Sequence, residues 1–163
     1  MKRVMKRLIL VTLCAILSSG TVCAISITVF GTWDLIITDL DLQGGAGDDF
    51  NPSYESAIDA VTVDIGGIHP FNQNYRVDVS KVDSTWHSNF HLYVRRTSDG
   101  SGHNSSTISG GITYQEVTDI DQTFFSGLGR RDGITIQLNL TGVSIQVPPD
   151  SYVTTIYYTA LEI

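Results

Sequence analysis

Residues 133–140 read GITIQLNL, and their alternation decides the fold. Ile134, Ile136, Leu138 and Leu140 fall on one side of an extended chain and Thr135 and Gln137 on the other, because successive strand side chains point to opposite faces. The four aliphatic residues are therefore expected in a core, and the polar pair in solvent.

The same period of two runs outward from this stretch. AVTVDIGG (60–67) sends Val61, Val63 and Ile65 inward, YRVDVS (75–80) sends Tyr75, Val77 and Val79, and FHLYVRRT (90–97) sends Phe90, Leu92 and Val94. Beyond the Thr141-Gly142 break, Val143, Ile145 and Val147 alternate with Ser144 and Gln146. Pro148-Pro149-Asp150 makes a turn, and SYVTTIYYTALEI (151–163) closes the chain with residues suited to a pleated surface. About eight or nine short strands separated by Gly, Pro, Asn and Asp clusters describe an all-β protein, a sandwich or a barrel. A membrane barrel is the costlier arrangement. One of the adjacent Arg95 and Arg96 would face lipid, at roughly 2–4 kcal/mol near the midplane, and the chain ends in Glu162-Ile163 where such a barrel favours an aromatic.

The first 24 residues read differently. Lys2, Arg3, Lys6 and Arg7 precede an apolar run from Leu8 to Leu17, and Val22-Cys23-Ala24 places small residues where a signal peptidase needs them. The run is short of the roughly 20 apolar residues that span a bilayer, so residues 1–24 are expected to be a signal peptide cut after Ala24. Lipidation at Cys23 is disfavoured by Val22, which stands where Gly, Ala or Ser is expected. The remaining 139 residues (163 − 24) suit one domain. Both cysteines, Cys14 and Cys23, leave with the leader, so no disulfide is expected. All 17 acidic residues stay and four of the ten basic ones go, giving a charge of −11 (6 − 17) that disfavours nucleic acid and anionic membranes as partners.

One loop carries a metal-like pattern. DLQGGAGDDFNP (41–52) matches the glycine and aspartate positions of a calcium-binding nonapeptide, but a β-roll needs about three stacked repeats and this is a single copy with Asn51 where an aliphatic residue belongs. Two readings stay open: a glycine-rich turn, or a single calcium ion held by Asp39, Asp41, Asp48 and Asp49, since hard cations want clustered carboxylates.

Catalytic signatures are weaker still. His87 and His91 lie about 13 Å apart along a strand, too far to share a metal, and no Gly-x-Ser-x-Gly elbow presents a nucleophile. SDGSGHNSSTISGG (98–111) reads as a polar loop carrying a glycosylation sequon at Asn104. A non-enzymatic role is expected.

Two stretches suggest that role. ISITVFGTW (25–33) places Ile25, Ile27 and Val29 on one face directly after the cleavage site, with Gly31 as a joint. Such a strand either starts its own sheet or adds to a neighbour's, where backbone hydrogen bonds give affinity and alternate side chains fill pockets. Repeated head to tail, the second arrangement makes a fibre.

At the other end, VPPDSYVTTIYYTALEI (147–163) resembles the closing strand of secreted fimbrial and spore coat protein U-like subunits, with Tyr152, Thr154, Ile156 and Tyr158 at the matching positions. The resemblance implies an immunoglobulin-like antiparallel β-sandwich that polymerises by donor-strand exchange. The expected organisation is thus a leader (1–24), an N-terminal strand and joint (25–32) and a single sandwich domain (33–163). The expected function is a secreted, cell-surface structural subunit whose partner is a further copy of itself. The alternative is a monomeric carbohydrate-binding module using Trp86, Tyr93 or Tyr114 as a stacking platform.

Overall fold

The computed structural model describes residues 25–45, 47–67, 72–102 and 105–163, together with the backbone of 6–10. The cleavage site, both cysteines and Asn104 of the sequon lie outside the described residues.

Within them the chain is nearly all β. The strands are β1 (Lys6–Leu10), β2 (Ser26–Gly31), β3 (Leu35–Ile37), β4 (Ser53–Glu55), β5 (Val61–Gly66), β6 (Asn74–Thr85), β7 (His91–Arg96), β8 (Ser101–Gly102), β9 (Thr107–Gly110), β10 (Gln115–Glu116), β11 (Gln122–Leu128), β12 (Arg131–Thr141) and β13 (Ser151–Glu162). One sheet runs β3-β1-β13-β6-β11-β9. The other runs β10-β7-β12-β5-β2, with β4 and β8 also pairing β12. Every pairing is antiparallel except that of β1 with β13.

The period of two is what closes the core. Ile134, Ile136, Leu138 and Leu140 of β12 are buried, as are Val61, Val63 and Ile65 of β5 and Leu92 and Val94 of β7. Across from them Tyr75, Val77 and Val79 of β6 and Ile156 and Tyr158 of β13 complete one hydrophobic cluster fed by both sheets. Each fully buried aliphatic side chain contributes about 1.5–3 kcal/mol. In β11 the register shifts between Thr123 and Phe125. This bulge turns two consecutive aromatics, Phe124 and Phe125, into the core, their rings edge to face at 5.3 Å.

Three expectations are corrected. Residues 143–147 form no strand: Val143 and Val147 are buried, but Ile145 is exposed and the Ser144 carbonyl accepts from the Val147 amide in a turn. The cause lies across the molecule, where Asp49 accepts from the Ile145 amide at 2.9 Å and from Ser144 Oγ at 3.1 Å. WDLIITDLDL (33–42), expected as a single strand leading into the Gly-Asp loop, stops as a strand at Ile37, because Thr38 caps a 3-10 turn over Asp39–Asp41. Gln137, expected in solvent, is only 4 % exposed. Its side chain is taken up by Arg95 and by the Ser56 carbonyl, and Ser56 lies alongside β12, its amide donating to the Leu138 carbonyl and its hydroxyl accepting from the Leu138 amide, both at 2.9 Å. The serine thereby continues the ladder from β4 towards β5.

The arginine pair sits at the end of β7, as the alternation requires. Arg96 points inward and holds the 98–111 loop, donating from Nε and Nη2 to the Gly110 carbonyl (3.0 and 2.9 Å) and from Nη1 to the Ser98 carbonyl (3.1 Å), with Asp99 as its ion pair. Arg131 adds bonds to the Asp99 and Ser106 carbonyls, each at 2.8 Å. That loop is therefore anchored at several points.

Candidate functional site

The N-terminal strand β2 ends the second sheet. It pairs antiparallel with β5 from Ser26↔Gly66 to Gly31↔Val61, which sets Ile27 beside Ile65 and Val29 beside Val63 on the inner face. Ile27 is 5 % exposed, and Ile25 and Val29 pack partly buried against the same cluster. Gly31 has φ +128 and lies against the Ala60 carbonyl, so closely that a Cβ would collide with it. The glycine expected as a joint thus also seals the strand to its neighbour. Within one chain, residues 26–31 are at home in their own sheet.

The first sheet shows a second feature at its β3 end. β1, part of the expected leader, lies between β13 and β3: Arg7 to Leu10 pair parallel with Ser151 to Thr154, and Lys6 to Leu8 pair antiparallel with Ile37 to Leu35. Thr154 and Ile37 beside it are buried, and Leu35 and Tyr152 pack partly buried on the core. The sequence alone gave no sign of this position. Its flanking strands are 114 residues or more apart in the chain (35–37 against 151–154), and no local period reports such a pairing.

The four aspartates of the calcium reading are not gathered into a cage. Asp41 Oδ2 accepts from the Thr38 amide (2.8 Å) and hydroxyl (3.2 Å), which closes the cap of the 3-10 turn. Asp48 Oδ2 accepts from the Gly45 amide at 2.8 Å. Asp49 accepts from the Phe50 amide and ties this loop to Ser144 and Ile145, while Asp39 sits exposed in the turn itself. Among the described residues no group of three or more His, Cys, Asp or Glu could hold a metal ion. The carboxylates serve backbone amides that the glycine-rich loop leaves without ladder partners.

The aromatic residues of the carbohydrate reading are engaged as well. The Trp86 ring meets Phe90 edge to face at 5.4 Å, its Nε1 donates to the Phe90 carbonyl at 3.1 Å, and the Lys81 ammonium stands 5.0 Å from its centroid. Tyr93 is half-buried in β7. Tyr114 is roofed by the Arg95 guanidinium at 4.6 Å and donates from its hydroxyl to Glu55 at 2.9 Å. Desolvation, and then the Glu55 carboxylate, push the Tyr114 pKa up to about 12.

Arg95 in turn donates from Nε (3.1 Å) and Nη2 (2.8 Å) to Gln137 Oε1, and Gln137 Nε2 donates to the Ser56 carbonyl at 2.9 Å. This polar cluster binds the β4 segment and the 111–114 turn onto β7 and β12. His91, on the same β7, has Nδ1 2.6 Å from Glu116 Oε1 of β10, while His87 Nδ1 accepts from the Asn89 amide at 3.2 Å. The two histidines share no ligand.

Among the described residues no helix is long and apolar enough to cross a membrane. Set against protein-family models, curated proteins and solved structures, the chain matches none of them.

Proposed function

We propose that this chain is a secreted structural subunit of an extracellular filament or surface layer. In this reading it is an immunoglobulin-like sandwich that assembles head to tail by lending its N-terminal strand to the next copy. The observation that carries the reading is the placement of β2. It begins two residues after the expected cleavage site and, among the described strands, stands last in its sheet, in a ladder with β5. Strands in such a place are the least costly to detach and the readiest to add to another sheet.

The monomeric carbohydrate-binding reading is less well supported, because two of its three rings are engaged, Trp86 with Phe90 and Lys81 and Tyr114 with Arg95 and Glu55. Calcium enters only as a question for experiment, since the loop carboxylates already accept backbone amides.

The test is the state of the exported protein. Produced with its own leader and purified from outside the cell, it should sediment as long polymers and show filaments or sheets in negative stain. Ile27→Asp puts a carboxylate where an apolar side chain is required, a heavily penalised change. It should give monomers that still unfold cooperatively, because five strands of the first sheet, which loses β1 with the leader, and six of the second remain. A parent protein that stays monomeric at high concentration, with and without added calcium, overturns the reading.

A further inference from the structure

We propose that the outer face of the first sheet, carried mainly by β13, β6 and β11, packs against the same face of a second copy and joins neighbouring filaments side by side. The filaments belong to the assembly reading above. The contact itself does not depend on that reading, since it uses a sheet face and no exchanged strand.

The face is built by the side chains that alternation turns away from the core. Thr155, Tyr157 and Thr159 of β13 lie between the buried Thr154, Ile156 and Tyr158, and they stand beside Val82, Ser80 and Asp78 of β6. Val82 is 57 % exposed. Tyr157 and Ser80 are each the seventh of the twelve residues in their strands, so this pair marks the centre of the face. Toward β11 and β9 the outward residues are again hydroxyl-bearing or aliphatic. β6 has a ladder on both sides, with β13 and with β11. An occupant therefore meets side chains there and not open backbone groups.

Charge points to what that occupant is. Residues 25–163 carry a net charge of −11 (6 − 17), and the outer face of the second sheet bears Glu55, Asp64 and Glu116. Along β6, β9, β11 and β13 the outer face of the first sheet carries one ion pair. Arg76 meets Asp78 with Nε at 2.8 Å from Oδ1 and Nη2 at 2.9 Å from Oδ2, and the Asp78 side chain is 9 % exposed. The pair is neutral and half out of water already. Two acidic copies repel wherever free carboxylates face each other, and on this face they do not. A cationic partner finds no free carboxylate to hold, and a lipid surface would bury serine and threonine hydroxyls without partners. A second copy of the face meets both conditions, because each hydroxyl can donate and accept.

The size is adequate for such a contact. At roughly 3.3 Å by 4.8 Å per residue, β13, β6, β11 and β9 cover about 550 Å² in projection. Side-chain relief brings the accessible area toward the roughly 800 Å² per partner of a standard interface. One pair of faces binds weakly, since its hydroxyls must give up water and its large apolar groups are few. Along two filaments many pairs act together, and the sum holds. Face to face the contact is isologous, so it joins two filaments without extending either.

Exported protein in negative stain should show filaments lying in pairs or flat bundles. Added salt should favour bundling, because it screens the repulsion between the acidic bodies and leaves a neutral face unaffected. Val82→Glu, at a site open enough for the fold to tolerate it, should leave the filaments single and equally long. Parent filaments that stay single at every salt concentration overturn the contact. So do bundles that dissolve in salt or that ignore Val82→Glu.

Absence of filaments from the parent would bring down the assembly reading, and cross-linking then decides on the face alone. Residues 25–163 contain no cysteine, so Val82→Cys supplies a unique thiol. At high concentration of protein carrying Ile27→Asp, a flexible bis-maleimide should link Val82→Cys into dimers in far greater yield than Ser53→Cys, which is exposed on β4 of the other sheet. Equal yields would mean chance collision and overturn the proposal.

Discussion

Substitutions at two neighbouring residues of β12 test the sandwich from both of its faces. Ile136 is 0 % exposed, with Val61 beside it on β5 and the inward-pointing Arg96 beside it on β7. Ile136→Ala removes three carbons, about 2.4 kcal/mol at 0.8 kcal/mol each. The surrounding β-branched side chains relax little around the hole, so a cavity term brings the expected loss to about 3–4 kcal/mol.

Gln137→Ala would be nearly silent if the outer face were solvated, as alternation alone predicts. In the structure it removes the acceptor of two Arg95 bonds and the donor to the Ser56 carbonyl. Arg95 retains the Tyr114 ring and access to water, whereas the Ser56 carbonyl is left buried without that donor, a loss of about 1–3 kcal/mol. Urea unfolding of the purified monomeric form measures both, with unchanged slopes required for the comparison. For a domain of this size each kcal/mol lowers the melting temperature by about 3–5 °C. Ser56→Ala removes a different bond, that of its hydroxyl with the Leu138 amide, and leaves the carbonyl that Gln137 reaches. A Gln137→Ala loss within about 0.5 kcal/mol of zero would refute the packing of the β4 segment on β12.

Asp49→Ala should lower stability by about 1 kcal/mol, near the net value of a single hydrogen bond because the carboxylate is exposed. The loss should be the same in calcium and in chelator; a loss seen only with calcium would restore the metal reading. Burial pushes the Tyr75 and Tyr54 pKa values up to about 12 and raises that of Tyr158 further. The unfolded chain then loses these protons near pH 10 while the folded one keeps them, so the stability they carry is complete below pH 10 and declines as pH rises from about 10 to 12. Alkaline unfolding followed by tyrosinate absorbance should show ionisation and unfolding together, and early ionisation without unfolding would count against the burial. Tyr158→Phe should leave the melting temperature at pH 7 unchanged or raise it slightly, because its buried hydroxyl has no hydrogen-bond partner among the described residues. A drop of several degrees would mean that the hydroxyl is satisfied.

What the sequence revealed follows from the range over which its signals act. Alternation is a property of two or three residues, and wherever a strand has one face on the core it names the buried side chains: Val61, Val63 and Ile65, or Leu92 and Val94, are buried as expected. It fails where a distant segment supplies the second face. Gln137 is buried where Arg95 and the Ser56 carbonyl take its amide group, and Ser144 and Ile145 form a turn because Asp49 takes their polar groups.

The same limit explains the Gly-Asp loop. Its composition fits a cation or a turn equally well, and the choice depends on which amides the carboxylates find. Ladder order is the least local property of all. Period two marks residues 25–29 as a strand, but only topology puts that strand last among the described strands of one sheet and sets residues 6–10 between β13 and β3 in the other. Signal-peptide chemistry and strand-pairing chemistry make overlapping demands on residues 6–10: an apolar stretch after a basic start suits both. A sequence reading that sets residues 1–24 aside as an address has no means of finding the pairing of residues 6–10 with β13 and β3.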